Sequence, residues 1–344
     1  MSKTIENKRR PTMYDVAKMA GVSQPTVSRV LNPTPNTPQI SDDTTRRVLE
    51  AVEKLGYRPN VVARSLRTQR TQTVALMIAD LANSFYHVLA RTIQDVAREQ
   101  DYEVLISNSD HEYDNERHFC EIVLRRGVDG AILVPIHLTD DDLRPYVAQT
   151  NIPFVVLGEQ IHQDKIDVVF ADDRRAIYDT TKWLIHSRGY QDIGYIGVPD
   201  FHPPGPRRYE GYYQAMCDEG LTPDPRYRHD GDFSLEGGKR LAKKILAAGD
   251  LPRAFIVLND LMAIGLILEL QEAGLRVPED VAVVGFDDIP EATIIRPTLT
   301  TIAQDPRDIG LKLANALFDR INDPDITGKR IFESTLRLIP RESA

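Results

Sequence analysis

Tyr14-Asp15-Val16-Ala17, Gly21-Val22-Ser23 and Thr26-Val27-Ser28-Arg29-Val30-Leu31-Asn32 are the stretches whose reading decides how the first seventy residues fold. Just upstream, the Thr12 hydroxyl can accept a free backbone N–H, and Asp15 falls at the positive end of a first helix that Gly21 stops. Ser23 caps a second helix with Pro25 in its first turn, where a missing N–H costs little, and Val27, Val30 and Leu31 make its apolar stripe. Asn32-Pro33 ends it. Ser41 opens a third helix with Asp42 and Asp43 near its start, Val48, Leu49, Val52 and Leu55 on one face, and Gly56 at the exit. Two helices joined by a Gly-Val-Ser turn set the start of the second against base edges while the first braces the DNA backbone. Periodicity alone suits a plain three-helix core with a solvated polar face equally well.

Charge points the same way. The chain of 344 residues carries a net charge of −9, but residues 1–70 hold thirteen Lys and Arg against six Asp and Glu, and the rest hold 29 against 45. A basic head on an acidic body is the electrostatic footprint of a nucleic-acid-binding module. On the second helix Gln24, Pro25, Thr26, Ser28 and Arg29 form the candidate reading edge: Gln pairs with adenine, Arg with guanine, and Ser or Thr with a base or a phosphate.

The full motif from Tyr14 to Asn32 closely resembles the lactose and purine repressor family. The resemblance implies a head that binds a pseudo-palindromic operator as a dimer, with Thr12, Tyr14, Ser23 and Asn32 joining the reading edge as DNA contacts and Gln24 and Pro25 at the positions that vary between operators. The Pro-rich loop from Asn32 to Ile40 is about three residues longer than the family's usual loop. Next, Arg58-Pro59-Asn60-Val61-Val62-Ala63-Arg64-Ser65-Leu66-Arg67 is too short to be a stable helix alone in water. It is similar to the family's hinge helix, which pairs with its twin and enters the minor groove. That makes Leu66 the wedge between base steps, flanked by Ala63 and Arg67.

From Thr73 onward, apolar strands alternate with helical segments: Val74–Ala79, Val104–Ser107, Ala131–Pro135, Phe154–Leu157, Ile193–Val198, Phe255–Leu258 and Val281–Phe286. This order predicts parallel doubly wound sheets, in which ligands bind beyond the carboxyl ends of the strands, where Asp80, Asn259, Asp287 and Asp288 lie. The body resembles the family's regulatory domain, itself related to periplasmic sugar-binding proteins. The expected fold is therefore a small all-α helix-turn-helix domain (1–58), a hinge helix and linker (59–72) and an α/β two-lobe body (73–344). The lobes take 73–172 with 302–330 and 173–301 with 331–344, and the chain crosses near Asp172, Thr301 and Arg330. By family position the effector contacts are Phe85, Tyr86, Asp172, Arg208, Phe233, Asn259 and Asp287, with Asp173 a weaker candidate. Gly158 stands where several members carry an acidic residue.

Catalytic signals are poor. His111-Glu112 is followed by Asn115 where a zinc-protease motif needs histidine, and Gly237-Gly238-Lys239 lacks the upstream half of a phosphate loop and reads as a solvated helix start. The expectation is no enzyme, no metal and no cofactor. Cys120 and Cys217, far apart, are expected as buried thiols. No stretch approaches a membrane span, and the polar start from Met1 to Pro11 lacks a signal-peptide core, so a cytoplasmic protein is expected. Some family members become tetramers through a C-terminal leucine heptad; none follows Arg337-Leu338-Ile339-Pro340, which favours a homodimer. The sequence thus reads as an operator-binding transcriptional regulator, a repressor, controlled by a small molecule, a sugar or sugar derivative. The alternatives are control by a protein co-regulator and a free cytosolic solute-binding protein.

Overall fold

The computed structural model describes residues 11–31, 40–58 and 70–344, and the chain divides into two compact units, Met1–Thr71 and Gln72–Ala344. Asn32, Ala63, Leu66 and Arg67 lie outside the described residues, as do most of the Pro-rich loop and the hinge segment.

In the first unit, α1 (Met13–Ala20), α2 (Gln24–Leu31) and α3 (Asp42–Leu55) close around Val16, Ala17, Ala20, Val27, Val48 and Ala51. Their ends follow local chemistry. Thr12 and Asp15 form a reciprocal capping box, the Ser23 and Ser41 hydroxyls accept the Thr26 and Thr44 amides, and Gly21 and Gly56 end α1 and α3 at φ of +65° and +60°. These are left-handed positions that glycine takes without penalty. Leu49 departs from the expected face: it is 51% exposed, with Ala51 packed in the core instead. At 100° per residue, Leu49 falls 100° round the helix from buried Val48 and next to Glu53 and Arg46, at the solvent edge of the apolar face.

The body holds two six-stranded sheets. The first contains β1 (Thr73–Ile78), β2 (Glu103–Asn108), β3 (Gly130–Leu133), β4 (Phe154–Leu157), β5 (Ile166–Phe170) and β11 (Ile331–Glu333), in the order β11-β5-β4-β3-β1-β2, all parallel. The second contains β6 (Ile193–Gly197), β7 (Arg228–Asp230), β8 (Ala254–Val257), β9 (Ala282–Asp287), β10 (Thr300–Ala303) and β12 (Arg337–Ile339), in the order β12-β10-β9-β8-β6-β7. Only β12 pairs antiparallel among its described neighbours. Near-continuous apolar runs such as Phe154–Leu157 suit strands that are covered on both faces.

The first lobe's helices are α4 (Ser84–Glu99), α5 (Tyr113–Arg126) and α6 (Asp140–Gln149), joined by α12 (Pro306–Asn322), which returns to pack on α4, β3, β4 and β5. The second lobe carries α7 (Asp173–Arg188), α8 (Pro204–Asp218), α9 (Leu235–Ala248), α10 (Asp260–Glu272) and the single turn α11 (Glu291–Ile294). Two of the three crossings fall later than expected. Thr301 is inside β10, so the second crossing follows at Gln304-Asp305, and β11 belongs to the first sheet, so the third lies beyond Glu333 and not at Arg330. A three-residue strand leaves little trace in periodicity; its partner makes it a strand. Gly237 and Gly238, read as a solvated helix start, are buried: a Cβ on Gly238 would collide with the Met262 backbone, and one on Gly265 with the Leu235 carbonyl, so Gly238 and Gly265 let α9 and α10 approach closely, while Gly237 makes room for the Asp232 carboxylate. Cys120 is buried, but Cys217 is exposed on α8. Among the described residues no helix is long and apolar enough to cross a membrane, and no cluster of three or more His, Cys, Asp or Glu is suited to a metal.

Candidate functional site

The α2 face nominated for DNA is not consumed by packing. Gln24, Pro25 and Arg29 are exposed, Thr26 and Ser28 half-buried, and Tyr14 on α1 is 60% exposed. Thr12 and Ser23 spend their hydroxyls locally: Thr12 donates to Asp15 at 2.7 Å, and Ser23 pairs with the Thr26 hydroxyl at 2.9 Å. The two helix starts are thereby held rigid beneath the reading edge.

In the body, the residues expected to bind effector gather where the strands of both sheets end. Asp287 closes β9, is buried, and adopts φ of +120°, a conformation that costs a non-glycine residue energy and persists only when its surroundings fix it. Gln304 Nε2 donates to its carboxylate at 2.7 Å, and the Asn83 amide, from the first lobe, donates as well. Burial lifts Asp287 to about 6, against the opposing pull of Arg208 and the two amides. Beneath it, fully buried Asp260 accepts from the Ile289 amide at 2.9 Å and the Thr301 hydroxyl at 2.6 Å, which secures the loop after β9. Burial, reinforced by Asp287, raises Asp260 well above the carboxylate range.

Arg208 is pinned by three partners. Its Nε donates to Asp173 at 2.8 Å, its Nη1 to the Leu258 carbonyl at 2.6 Å, and its guanidinium lies 3.7 Å from the Phe286 ring centroid. Arg207 donates to the same Asp173 at 2.6 and 2.8 Å. Burial alone would raise Asp173; Arg208 and Arg207 hold it below its ordinary value instead. Of the adjacent acids, then, Asp173 joins the arginines, whereas Asp172 is exposed and caps α7 through the Arg175 amide at 2.9 Å.

Asn259 is buried; it caps α10 through the Met262 amide and donates its own amide to the Phe233 carbonyl at 2.7 Å. Phe233 has φ of +68° and so depends on that support. Phe85 is buried at the start of α4 and meets half-buried Tyr86 edge-on at 5.2 Å. The structure therefore brings Tyr86, Arg208 and Asp287 within electrostatic reach of one another where the two lobes meet, with Asn259 bonded to Phe233, Phe85 against Tyr86, and Asp172 exposed on its helix cap.

Sequence reading missed Asn83, Gln304 and three histidines at the same level: His111 after β2, His137 after β3 and His202 after β6. A signal existed, since each stands just beyond a strand's carboxyl end, the rule that found Asp287. His111 and His137 belong to the first lobe, His202 to the second.

A buried carboxylate, side-chain amides and aromatic faces where the two lobes meet are groups that suit a ligand with hydroxyls and apolar C–H faces. The family described as bacterial regulatory proteins, lacI family, matches residues 12–60, and a periplasmic binding protein-like domain matches residues 184–344. The chain is 36% identical over 300 residues to catabolite control protein A of Priestia megaterium, covering 87% of this chain and 89% of that protein. Among solved structures, the Lac repressor dimer bound to operator and the anti-inducer ONPF aligns with a TM-score of 0.83 at 27% identity, over 97% of this chain and 99% of that one. A complex of the transcriptional regulator CelR with cellobiose aligns at 0.71 and 29% identity, over 97% and 100%. The chain belongs to the lacI family of bacterial regulatory proteins: it is a DNA-binding transcriptional regulator with a ligand-binding body, and not an enzyme.

Proposed function

We propose that this protein is a cytoplasmic, homodimeric repressor whose grip on operator DNA is controlled by a neutral sugar or sugar derivative held between the lobes. The observation that carries the reading is Asp287, a buried carboxylate at the end of a central strand, held by amides from both sides of the cleft. Arg207 and Arg208 are already matched by Asp173, so an anionic ligand would meet Asp287 and Asp80 with those two guanidinia engaged elsewhere. A neutral polyol donates hydroxyls to Asp287 and lays its C–H face on an aromatic ring. The cellobiose bound by CelR supports a sugar by analogy.

Direct contact in this proposal falls to Asp287, Arg208, Phe233 and Tyr86; Phe85 and Asn259 support them, and Asp172, exposed on its helix cap, takes no part. In the head, Gln24, Pro25, Thr26, Ser28 and Arg29 read bases. The test is thermal unfolding of the full chain with glucose, ribose, cellobiose, hypoxanthine and guanine, since a ligand that binds only the folded state raises the midpoint. At least one sugar is expected to raise it, and Asp287→Ala to abolish the rise while operator binding persists. A rise with nucleobases alone would overturn the sugar reading, and a response retained in Asp287→Ala would remove that residue from the site.

A further inference from the structure

Rings from both lobes meet beside the proposed effector site. His111 of the first lobe lies flat on Phe233 of the second, centroids 4.2 Å apart and planes 3° from parallel. Beside this stack, His202 Nδ1 of the second lobe is 3.2 Å from His137 Nε2 of the first, and the His202 ring meets the edge of Phe233 at 5.3 Å. The tautomers follow from the partners. His137 Nε2 lies 2.9 Å from the His111 carbonyl, which only accepts, so that nitrogen carries the proton and His202 Nδ1 accepts from it. A proton on His202 Nδ1 would set donor against donor.

Both halves are rigidly presented. Asp110 and His111 adopt φ of +53° and +58°, and Phe233 of +68°, all left-handed positions that non-glycine residues hold only under constraint. The His137 loop is fastened from behind by Glu116, buried on α5, whose carboxylate accepts the backbone amides of Ile136, His137 and Leu138 at 2.7, 3.0 and 2.9 Å.

We infer that His111, His137, His202 and Phe233 form a built-in clasp that holds the two lobes together without effector, so that ligand entry requires His111 to leave the Phe233 face. The last clause rests on the proposed cleft site; the clasp itself does not. His111 thus occupies the aromatic face that a ligand ring would use, an autoinhibitory contact within one chain.

The clasp requires His202 unprotonated at Nδ1. Burial, with His137 and His111 as neighbours, holds His202 down to about 4, and burial also lowers His111, against Asp80, Asp110 and Asp232, which pull it up, and His137, which pushes it down. In the open state, exposed rings return toward the ordinary 6.5. Protons therefore favour opening: closure is complete above about pH 6.5, and each unit of acidification from there toward 4 shifts the ratio toward open by up to about tenfold through His202.

The experiment needs no ligand. Spin labels at Gln149→Cys and Lys244→Cys, exposed residues on opposite lobes, in a Cys217→Ser background and diluted with excess unlabelled chain so that each dimer carries one labelled copy, report the interlobe distance within the full chain. At pH 7.5 a single distance is expected; the double substitution His111→Ala and His202→Ala should raise a longer-distance population at least tenfold, and the unsubstituted clasp at pH 5 should raise it by up to about thirtyfold. In parallel, the His111 ring-proton resonances should lie upfield beneath Phe233 and move downfield in Phe233→Leu. Identical distance distributions in all three samples, or an unshifted His111 resonance, would overturn the clasp. A failed sugar assignment would leave both readouts untouched.

Discussion

Asp287, central to the proposed effector site, carries a cost in stability. Its carboxyl is held at about 6 against an ordinary 3.8, so the folded state binds its proton more tightly than the unfolded chain does. Between those values stability falls as pH rises, and above about 6 the ionised group carries the full cost, about 3 kcal/mol at most. Asp287→Asn keeps an acceptor for Gln304 but removes the ionisation. It should therefore raise the unfolding midpoint at pH 8, with the gain shrinking toward pH 4, while ligand response is lost. Paired thermal melts at pH 4 and 8 check the sign; a variant less stable at pH 8 than at pH 4, relative to its parent, would contradict it. The sequence marked Asp287 by its place at a strand end. Its burial and its two amide partners come from elements 17 and more than 200 residues away in the chain, which no local pattern contains.

At the scale of elements, Asp167 on β5 ties α12 and β11 to the first sheet. Fully buried, it accepts from Arg320 at 2.6 and 2.8 Å and from Arg330, by side chain and backbone, at 2.7 to 3.0 Å. Burial would raise it, but the two arginines hold it below its ordinary value. This network fastens the chain's return to the first lobe. Asp167→Ala should cost about 3 to 5 kcal/mol, because it strands two guanidinia near the interior. Urea denaturation is the measurement, and a loss below about 1 kcal/mol would show that the arginines find other partners. The stabilisation is present above about pH 4 and is lost as pH falls through the lowered value. Neither β5 nor β11 was expected as a strand. Ile166–Phe170 carries a charge at its second position, Asp167, and only the tertiary pairing with Arg320 and Arg330 makes a buried Asp acceptable there.

For the whole molecule, the division of charge sets the behaviour toward DNA. Thirteen basic residues in 1–70 against an acidic body predict operator affinity that falls steeply with salt, a log-log slope of about 5 to 10 for a dimer that neutralises several phosphates. Fluorescence anisotropy on a selected operator from 50 to 300 mM salt measures it; a slope near zero would remove the basic head from the binding energy. Effector and operator are also linked thermodynamically, so whatever factor the ligand imposes on DNA affinity, DNA imposes on ligand affinity.

By itself the sequence determined what short-range chemistry controls: the caps at Thr12, Ser23 and Ser41, the glycine stops, the alternation of strands and helices, the charge division, and the family resemblance that picked out Asp287 and Arg208. Tertiary structure alone decided where the chain crosses between lobes, that Arg207 and Arg208 share Asp173, that Gly238 serves helix packing, and that His111 lies on Phe233. The reason is range. Caps and periodicity act within one or two turns of the chain, whereas these contacts join residues tens to more than a hundred positions apart, and their energy exists only after both lobes have folded.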